Sequence, residues 1–327
     1  MPTERSSTPS IPSGLPVAHA RPQELVGPLV VATAGRGVAE VLEAARFLVS
    51  SIGMRPLVVA VHEPTFSYLP EVGLAPLLPE LEEEQRKLLT EDVSNALERA
   101  GGGLSSWKLH VVTGPPSRTL ARMASEVDAS MVVMGIGRHA PLDRVFGAET
   151  TLQTIRLADR PVLAVAPGIR VPPRHVAVAV DFSPPSIKAA VEGLKLLTDG
   201  GKLSLVHVRP VGSWRPQLDD ASRRSFDRRV SDLFSRLRTM LAAPSSVRVE
   251  KVVLDGSPAA EVVAFAKREG VDIIASGSSG LGFVDRMIMG SVATQILRRS
   301  TITVLVVPRP SPAEVERVEQ QFVKAGV

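Results

Sequence analysis

A glycine-rich stretch in the second half of the sequence has the spacing of an anion-binding loop. An apolar run ends at Gly277, and the pattern Gly-x2-Gly-x9-Gly-Ser continues through Gly280 to Gly290-Ser291. A helical pattern begins at this last serine. The backbone N–H groups of such a turn and the positive end of a helix both attract phosphate oxygens. The spacing therefore predicts a phosphate-binding site built mainly from main-chain donors.

An aspartate after a second apolar run is a candidate for the same site. Asp181 directly follows the apolar run 175–180. Ligands of open parallel sheets bind beyond the carboxyl ends of the strands, where neighbouring crossovers run to opposite faces. If the strands that end at Asp181 and Gly277 are adjacent, both residues border one crevice. Each residue alone is also explained by a turn or a helix cap, and only the combination at fixed spacing favours a binding site.

The elements that position these residues follow from the hydrophobic pattern. In the second half, short apolar runs alternate with segments of helical period. Strands are predicted at 175–180, 203–208, 247–254, 271–276 and 303–307, and helices at 187–197, 217–241, 258–267 and 291–299. Strands that alternate with helices in this way imply βαβ crossovers and a mostly parallel sheet with helices on both faces.

The first half repeats the same order of elements, with strands predicted at 29–33, 57–61, 108–113, 130–134 and 162–166. Subtracting 142 takes Gly256 to Gly114 and Gly277 to Gly135, and toward the start the offset grows to about 145–147. The sequence therefore predicts a duplicated domain. The predicted parts are a disordered tail (1–26), a first domain (27–167), a linker (168–174), a second domain (175–308), and a C-terminal tail or short helix (309–327).

The composition limits the function classes that are open to this chain. Its 327 residues are enough for two domains. The absence of cysteine excludes disulfides, thiolate metal sites and a cysteine nucleophile. The sequence has no apolar run of about 18 residues and no secretory h-region. We therefore expect a cytoplasmic protein without a membrane span.

Other catalytic motifs are absent from the sequence. The six histidines show no metal-binding spacing, and the Gly-x-Ser-x-Gly elbow of serine hydrolases does not occur. The Walker pattern is also absent, and with it the lysine that polarises the β- and γ-phosphates. We therefore expect no fast hydrolysis of a bound nucleotide.

A basic cluster raises the question of nucleic-acid binding. Arg223-Arg224 and Arg228-Arg229 lie in the predicted helix 217–241, but aspartates interleave with them and no set of stacking aromatic residues accompanies them. The cluster therefore predicts a solvated helix surface rather than a nucleic-acid site. The equivalent helix of the first half, 78–100, is acidic. The opposite charges suggest that the two helices meet between the repeats.

Several segments together resemble the universal stress protein family. They are Asp181 after its apolar run, the strand 205–208, Gly256-Ser257-Pro258, the Gly-x2-Gly-x9-Gly-Ser pattern and the closing strand 303–308. The resemblance covers about residues 27–167 and 174–308. It implies an α/β protein of two tandem Rossmann-like domains, of the adenine nucleotide alpha hydrolase-like type. Each would be a five-stranded parallel sheet of order 3-2-1-4-5 with helices on both faces, paired with the other copy through its last strand.

The resemblance also implies an ATP site in the second half, because many members of the family bind ATP. By position, Asp181 would face the adenosine, and the backbone at Val208 would face the base. The residues that would line the ribose and phosphates are Gly277, Gly280, Gly290, Ser291 and Val292. The expected ligand is therefore ATP, alone or with Mg²⁺ or Mn²⁺.

The first half departs from this pattern. Ala34 stands in place of Asp181, Arg138 replaces the second glycine, and Ala148-Glu149 falls in the register of Gly290-Ser291. A gap of one residue aligns Gly147 with the glycine but still leaves Ala148 in place of the serine. A carboxylate at Glu149 would repel phosphate. We therefore expect no ATP in the first half, although Arg138 leaves another anionic ligand open.

Three functions remain open. The leading hypothesis is an ATP-binding regulator or sensor of the stress response, with an adenine nucleotide as ligand and a regulatory protein partner of unknown identity. The second is a nucleotide-free interaction protein in which the glycines only form turns, and the third is a slow ATPase. The two halves are expected to form an internal pseudo-dimer, with a homodimer of whole chains also open. No nucleic-acid or membrane partner is expected.

Overall fold

The computed structural model describes residues 27–34, 38–64, 78–136, 148–210, 220–279 and 289–326. Strands and helices alternate along both halves of this described chain. The first half contains β1 (Pro28–Ala32), α1 (Ala39–Ile52), β2 (Arg55–His62), α2 (Leu78–Ala100), a 3-10 helix (Leu104–Ser106), β3 (Lys108–Thr113), α3 (Pro116–Glu126), β4 (Met131–Gly135), α4 (Ala148–Leu157) and β5 (Val162–Val165).

The second half repeats this order of strands and α-helices, without the 3-10 helix in its described residues, and adds one α-helix at its end. It contains β6 (His175–Ala179), α5 (Pro184–Lys195), β7 (Lys202–Pro210), α6 (Asp220–Leu241), β8 (Arg248–Gly256), α7 (Pro258–Arg268), β9 (Ile273–Gly277), α8 (Ser291–Arg299), β10 (Thr303–Val307) and α9 (Pro312–Lys324). The repeat of strands and helices confirms the predicted α/β class.

The described strands form one sheet in the order β3-β2-β1-β4-β5-β10-β9-β6-β7-β8. Within each half the order is the expected 3-2-1-4-5, and neighbouring strands run parallel. The halves join through their last strands, β5 and β10, which pair antiparallel with Leu305 opposite Leu163. The Thr303 hydroxyl also accepts a hydrogen bond of 3.0 Å from the N–H of Ala166. The two repeats therefore form an internal pseudo-dimer with a continuous sheet.

Helices cover both faces of this sheet and enclose two cores. Helices α1, α2, α5 and α6 pack on one face, and α3, α4, α7 and α8 on the other. Along β1, Leu29 and Val31 face the first core, while Val30 and Ala32 face the second. Because successive strand residues point to opposite faces, a strand buried on both sides must be apolar throughout. This requirement explains the short uninterrupted apolar runs of the sequence.

The suggested contact between the acidic and basic helices is wrong. Helix α2 follows β2 and α6 follows β7, and these two strands lie seven positions apart in the sheet. At about 4.8 Å per strand spacing, they are separated by about 34 Å. The charged helices therefore lie toward opposite ends of the sheet and cannot neutralise each other.

The segment after β10 forms a helix that docks on the first face. Helix α9 begins with a capping box, in which Ser311 and Glu314 exchange side-chain and backbone hydrogen bonds. Its Val318 and Phe322 pack against the first core, and Glu314 forms a 2.8 Å ion pair with Lys188 of α5. The hydrogen bond from Lys188 lowers the pKa of Glu314 to about 2. The ion pair therefore links α9 to α5.

This lowered pKa predicts an acid-sensitive contribution to stability. A carboxyl group with a pKa of about 2 in the folded protein and 4.5 in the unfolded chain stabilises the fold fully above pH 4.5. The contribution declines as the pH falls from 4.5 toward 2. We expect the difference in free energy of unfolding between the parent and Glu314→Gln to narrow below pH 4.5 in urea titrations. Glutamine preserves the capping box, and a difference that stays constant down to pH 3 would contradict the expectation.

Candidate functional site

The strands that end at Asp181 and Gly277 are neighbours. In β6 and β9, Ala179 lies opposite Ser276, so both strands finish at the same edge of the sheet. Helix α5, which follows β6, packs on the first face, while α8, which follows β9, packs on the second. This divergence opens a crevice between the two strand ends, as at the switch point of other open α/β sheets. The predicted adjacency is therefore confirmed.

Asp181 builds the turn between β6 and α5. Its Oδ1 accepts hydrogen bonds from the N–H of Ser183, at 3.0 Å, and from the Ser183 hydroxyl. The Ser186 hydroxyl donates to the Ser183 carbonyl at 3.0 Å and fastens the first turn of the helix. Asp181 is half-buried at the crevice. Its side chain thus has a structural function in the turn, whatever ligand binds beside it.

Gly277 is required by the close approach of α5. A Cβ at this residue would lie 2.8 Å from the carbonyl carbon and Cβ of Pro185 and 3.0 Å from the backbone nitrogen of Ser186. By the family resemblance, Gly277 is expected to line the ribose and phosphates of a nucleotide. The structure gives a packing reason, because most of the conflicting atoms belong to the backbone of α5 and cannot rotate away.

The start of α8 lies directly beside the end of β9. The N–H of Gly290 donates to the carbonyl of Ser278 at 2.6 Å. The N–H of Ser278 in turn donates to the carbonyl of Val307, the last residue of β10, at 2.7 Å. Gly290 is the N-cap and provides no side-chain cap. Among the described residues, the N–H groups of Ser291 and Val292 have no acceptor. The first turn of α8 contains no acidic residue, so these donors and the helix dipole favour an anion.

The remaining predicted residues are Val208 and Gly280. Val208 lies near the end of β7, where it pairs with Leu254 of β8. On the side of β6, the hydrogen bonding between the two strands ends before Val208. Its last bond runs from the N–H of Val180 to the carbonyl of Val206, at 2.8 Å. Gly280 lies outside the described residues. The structure thus brings Asp181, Gly277, the start of α8 and Val208 to one edge of the sheet.

An aromatic cluster at this edge was not predicted. Phe182 has a left-handed backbone with φ of 63°, which is rare for a bulky residue. Its ring centre lies 5.2 Å from that of His207 and 5.1 Å from that of Phe234 on α6. The Nδ1 of His207 lies 2.8 Å from the Val180 carbonyl. The sequence showed only that His207 lacks a metal-binding partner, since its ring contacts arise from distant segments.

The cation nearest in sequence to Val208 is already engaged. Arg209 donates two hydrogen bonds to Asp255, at 2.8 and 2.6 Å, and one to Asp227 at 3.0 Å. The hydrogen bonds to Asp255 raise the pKa of the Arg209 guanidinium above its usual value. This side chain therefore ties β7 to β8 and α6 instead of offering an unpaired charge to a phosphate.

The model of the universal stress protein family matches residues 28–166 and again 173–308. The two matches cover most of the chain, and each spans one five-stranded half. The chain belongs to the universal stress protein family.

Individual universal stress proteins show the same relationship. The protein Rv2005c of Mycobacterium tuberculosis is 28% identical over 238 residues, which are 69% of this chain and 77% of that protein. The protein MJ0531 of Methanocaldococcus jannaschii is 34% identical over 70 residues, 21% of this chain and less than half (41%) of that protein. A solved universal stress protein from Archaeoglobus fulgidus has a TM-score of 0.59 at 18% identity, covering 87% of this chain and 97% of its own, which shows a shared fold.

The two universal stress domains differ at the equivalent strand ends. The strand register aligns Ala34 with Asp181 and Ala60 with His207. Glu149 lies exposed in the first turn of α4, at the position of Ser291 in α8. The Thr151 hydroxyl donates to the Gly135 carbonyl at 2.9 Å and ties this helix to β4. Arg138 and Gly147, which also distinguish the first domain in sequence, lie outside the described residues.

Two features are absent from the residue ranges that the structure describes. Within them, no three or more His, Asp or Glu side chains come together in a way that could hold a metal ion. No helix in these ranges has the length and apolarity needed to cross a membrane.

Proposed function

We propose that this universal stress protein is an ATP-binding regulator whose nucleotide site lies in the second domain. The observation that carries the proposal is the pair of main-chain donors at Ser291 and Val292, which begin α8 beside the switch-point strand β9. Helix N-termini in this position commonly bind phosphate. The first domain has a carboxylate at the equivalent place, so the proposal concerns the second domain alone.

The proposed pose follows the order of the strand ends. The triphosphate would lie at the start of α8, with Gly290, Ser291 and Val292, and Gly280 is assigned there from the sequence pattern alone. The adenosine would extend past Asp181 toward the main chain of Val208 on β7. A Mg²⁺ or Mn²⁺ ion that accompanies the nucleotide would be held largely by phosphate oxygens, as is usual for Mg²⁺ with nucleotides.

The proposed function is regulatory rather than catalytic. The sequence has no Walker lysine, and the nearby Arg209 is paired with two carboxylates. A nucleotide that contacts β7, β9 and α8 together would favour conformations in which these elements keep their present spacing. A protein partner that binds this edge of the sheet would then distinguish the occupied from the empty state.

A second candidate function is that of a nucleotide-free interaction protein. Two observations favour it: Asp181 is used in the turn before α5, and Gly277 is required by packing. Neither residue therefore needs a ligand to explain its presence. Two measurements separate the candidates. ATP found by mass spectrometry among the small molecules released from the purified, gently denatured chain supports the ATP-binding regulator. Failure of added ATP to bind the chain supports the nucleotide-free interaction protein.

The direct test of the proposed site is Ser291→Glu. This change reproduces the glutamate that the first domain already carries in α4, so the helix is expected to fold. Its charge would repel the phosphates at the donors of α8, and we expect ATP affinity to fall about tenfold or more in calorimetric titrations. Ser291→Gln is the matched neutral control and should bind within about threefold of the parent. Equal affinities of the two variants would contradict the phosphate assignment.

A further inference from the structure

Helices α2 and α6 carry opposite charges at the two ends of the sheet. Helix α2 has seven acidic and three basic residues, a net charge of −4, and α6 has three acidic and six basic residues, a net charge of +3. Both helices pack on the first face, α2 beside the edge strand β3 and α6 beside the edge strand β8. Because the strands that precede them lie about 34 Å apart in one chain, neither helix neutralises the other.

The arginines of α6 extend along the flank of the helix that faces the edge strand. The Ser231 hydroxyl lies 3.2 Å from the Nζ of Lys251 on β8, which identifies this flank. Residues three, four and seven apart lie on one side of a helix, so Arg224, Arg228 and Arg238 share the flank with Ser231. All three arginines are exposed, and none has an ion-pair partner within the described chain. This basic flank is therefore available to an acidic surface.

Glutamates occupy the equivalent flank of α2. Val93 and Leu97 are buried with the same spacing as the last two buried leucines of α6, which gives an offset of 144 residues. Position 231 of α6 then corresponds to Lys87 in α2. Three exposed glutamates lie seven and three residues before Lys87 and four residues after it, namely Glu80, Glu84 and Glu91. None of the three has an ion-pair partner among the residues that the structure describes, so this acidic flank is also available.

A second copy of the chain can bring these two flanks together. The strands of the two halves run in opposite directions, since β5 and β10 pair antiparallel. A copy moved along the sheet without rotation therefore places its β8 antiparallel to β3, as at the seam between the halves. Helix α6 of that copy then lies beside α2, because both helices are on the same face. Neighbouring helices pack about 8–10 Å apart, which is within the Debye length of about 10 Å at 0.1 M salt.

Only unlike ends of the sheet match in charge. Two copies that met through β3 would bring two acidic α2 helices together, and two copies that met through β8 would bring two basic α6 helices together. Like charges at such a contact disfavour association. On the second face, the helices near these ends are α3 and α7, and each has a net charge of only +1. The charges therefore favour contact between α2 of one chain and α6 of the next.

We propose that copies of this protein associate head to tail, with the acidic flank of α2 against the basic flank of α6 in the next chain. The edge strand β3 contains one charged residue, Lys108, so charged side chains of this strand do not block the approach of β8. Each chain has one flank of each kind. An interface between unlike surfaces continues into a filament unless its rotation closes a ring. The contact lies outside the crevice between β6 and β9 and does not depend on the proposed ATP site.

Paired charge reversals test this interface in the full chain. Sedimentation equilibrium in low-salt buffer should give the parent a mass above the 34.8 kDa of one chain, and about 1 M salt should reduce the mass to that value. Glu84→Lys with Glu91→Lys, and Arg228→Glu with Arg238→Glu, should each sediment as single chains, because each variant brings like charges together. An equimolar mixture of the two variants should regain a mass above one chain, since its flanks are again opposite in charge.

The control is Glu316→Lys with Glu319→Lys on α9, which makes the same change in net charge at two other exposed glutamates. This variant should keep the mass of the parent. The inference is overturned if the parent remains a single chain in low salt, if either reversal variant keeps the mass of the parent, or if the mixture stays dissociated. A single-chain parent that binds a DNA duplex through Arg228 and Arg238 would instead assign the basic flank to a nucleic acid.

Discussion

Replacing Leu305 with alanine is expected to lower the free energy of unfolding by about 2–5 kcal/mol. Leu305 is 0% exposed and lies in β10, opposite Leu163 across the seam between the two domains. It belongs to a core that includes residues of both halves. Removing its side-chain methyl groups leaves a cavity that the paired strands cannot easily close. Urea unfolding followed by circular dichroism measures the loss.

The position of Leu305 also predicts which parts of the chain lose stability. Because the sheet and each core continue across the seam, we expect amide protons of β1 in the first domain and β6 in the second to lose protection together in hydrogen exchange. Leu88→Ala is the control, since this α2 side chain is 56% exposed and its removal should change stability by no more than about 0.5 kcal/mol. Loss of protection in the second domain alone would show that the domains unfold independently.

Much of the fold could be predicted because the apolar runs are short and regular. Buried parallel strands such as β4 and β9 need apolar residues on both faces, and each of these two strands ends in a glycine before the chain turns. The repeat of this pattern indicated the duplication. The family resemblance supplied the strand order and the pairing of the last strands, which periodicity alone does not contain. The structure then gives an offset of 147 for β1 and β2, within the range that the sequence suggested.

The contacts made by the candidate site residues could not be predicted in the same way. The left-handed backbone of Phe182 and its packing on His207 depend on α6, which is distant in the sequence. The pairing of Arg209 with Asp255 requires the register of β7 and β8. A sequence pattern shows which residue types are present, but their partners are set by tertiary packing. The same limit explains why the sequence pattern assigns Gly277 to a ligand and does not contain its close contact with α5.

Gly277→Ala is expected to destabilise the second domain by about 1–3 kcal/mol through overpacking. The added methyl group would lie 2.8 Å from Pro185, and α5 would have to move away from β9. Gly135→Ala is the matched control, because among the described residues the same change at the equivalent position of β4 meets only Val41, at an ordinary 3.7 Å. We expect that control to change the free energy of unfolding by no more than about 0.5 kcal/mol.

Measuring ATP affinity on the same two variants distinguishes the packing explanation of Gly277 from the ligand explanation. If α5 moves, the turn from Asp181 to Ser183 moves with it, so stability and ATP affinity should both decline in Gly277→Ala. If the glycine instead provides room for the ligand, the variant should keep the stability of the parent and lose only its affinity for ATP. A variant that keeps both would show that α5 adjusts without cost. Only the first result agrees with the close approach of α5 to β9.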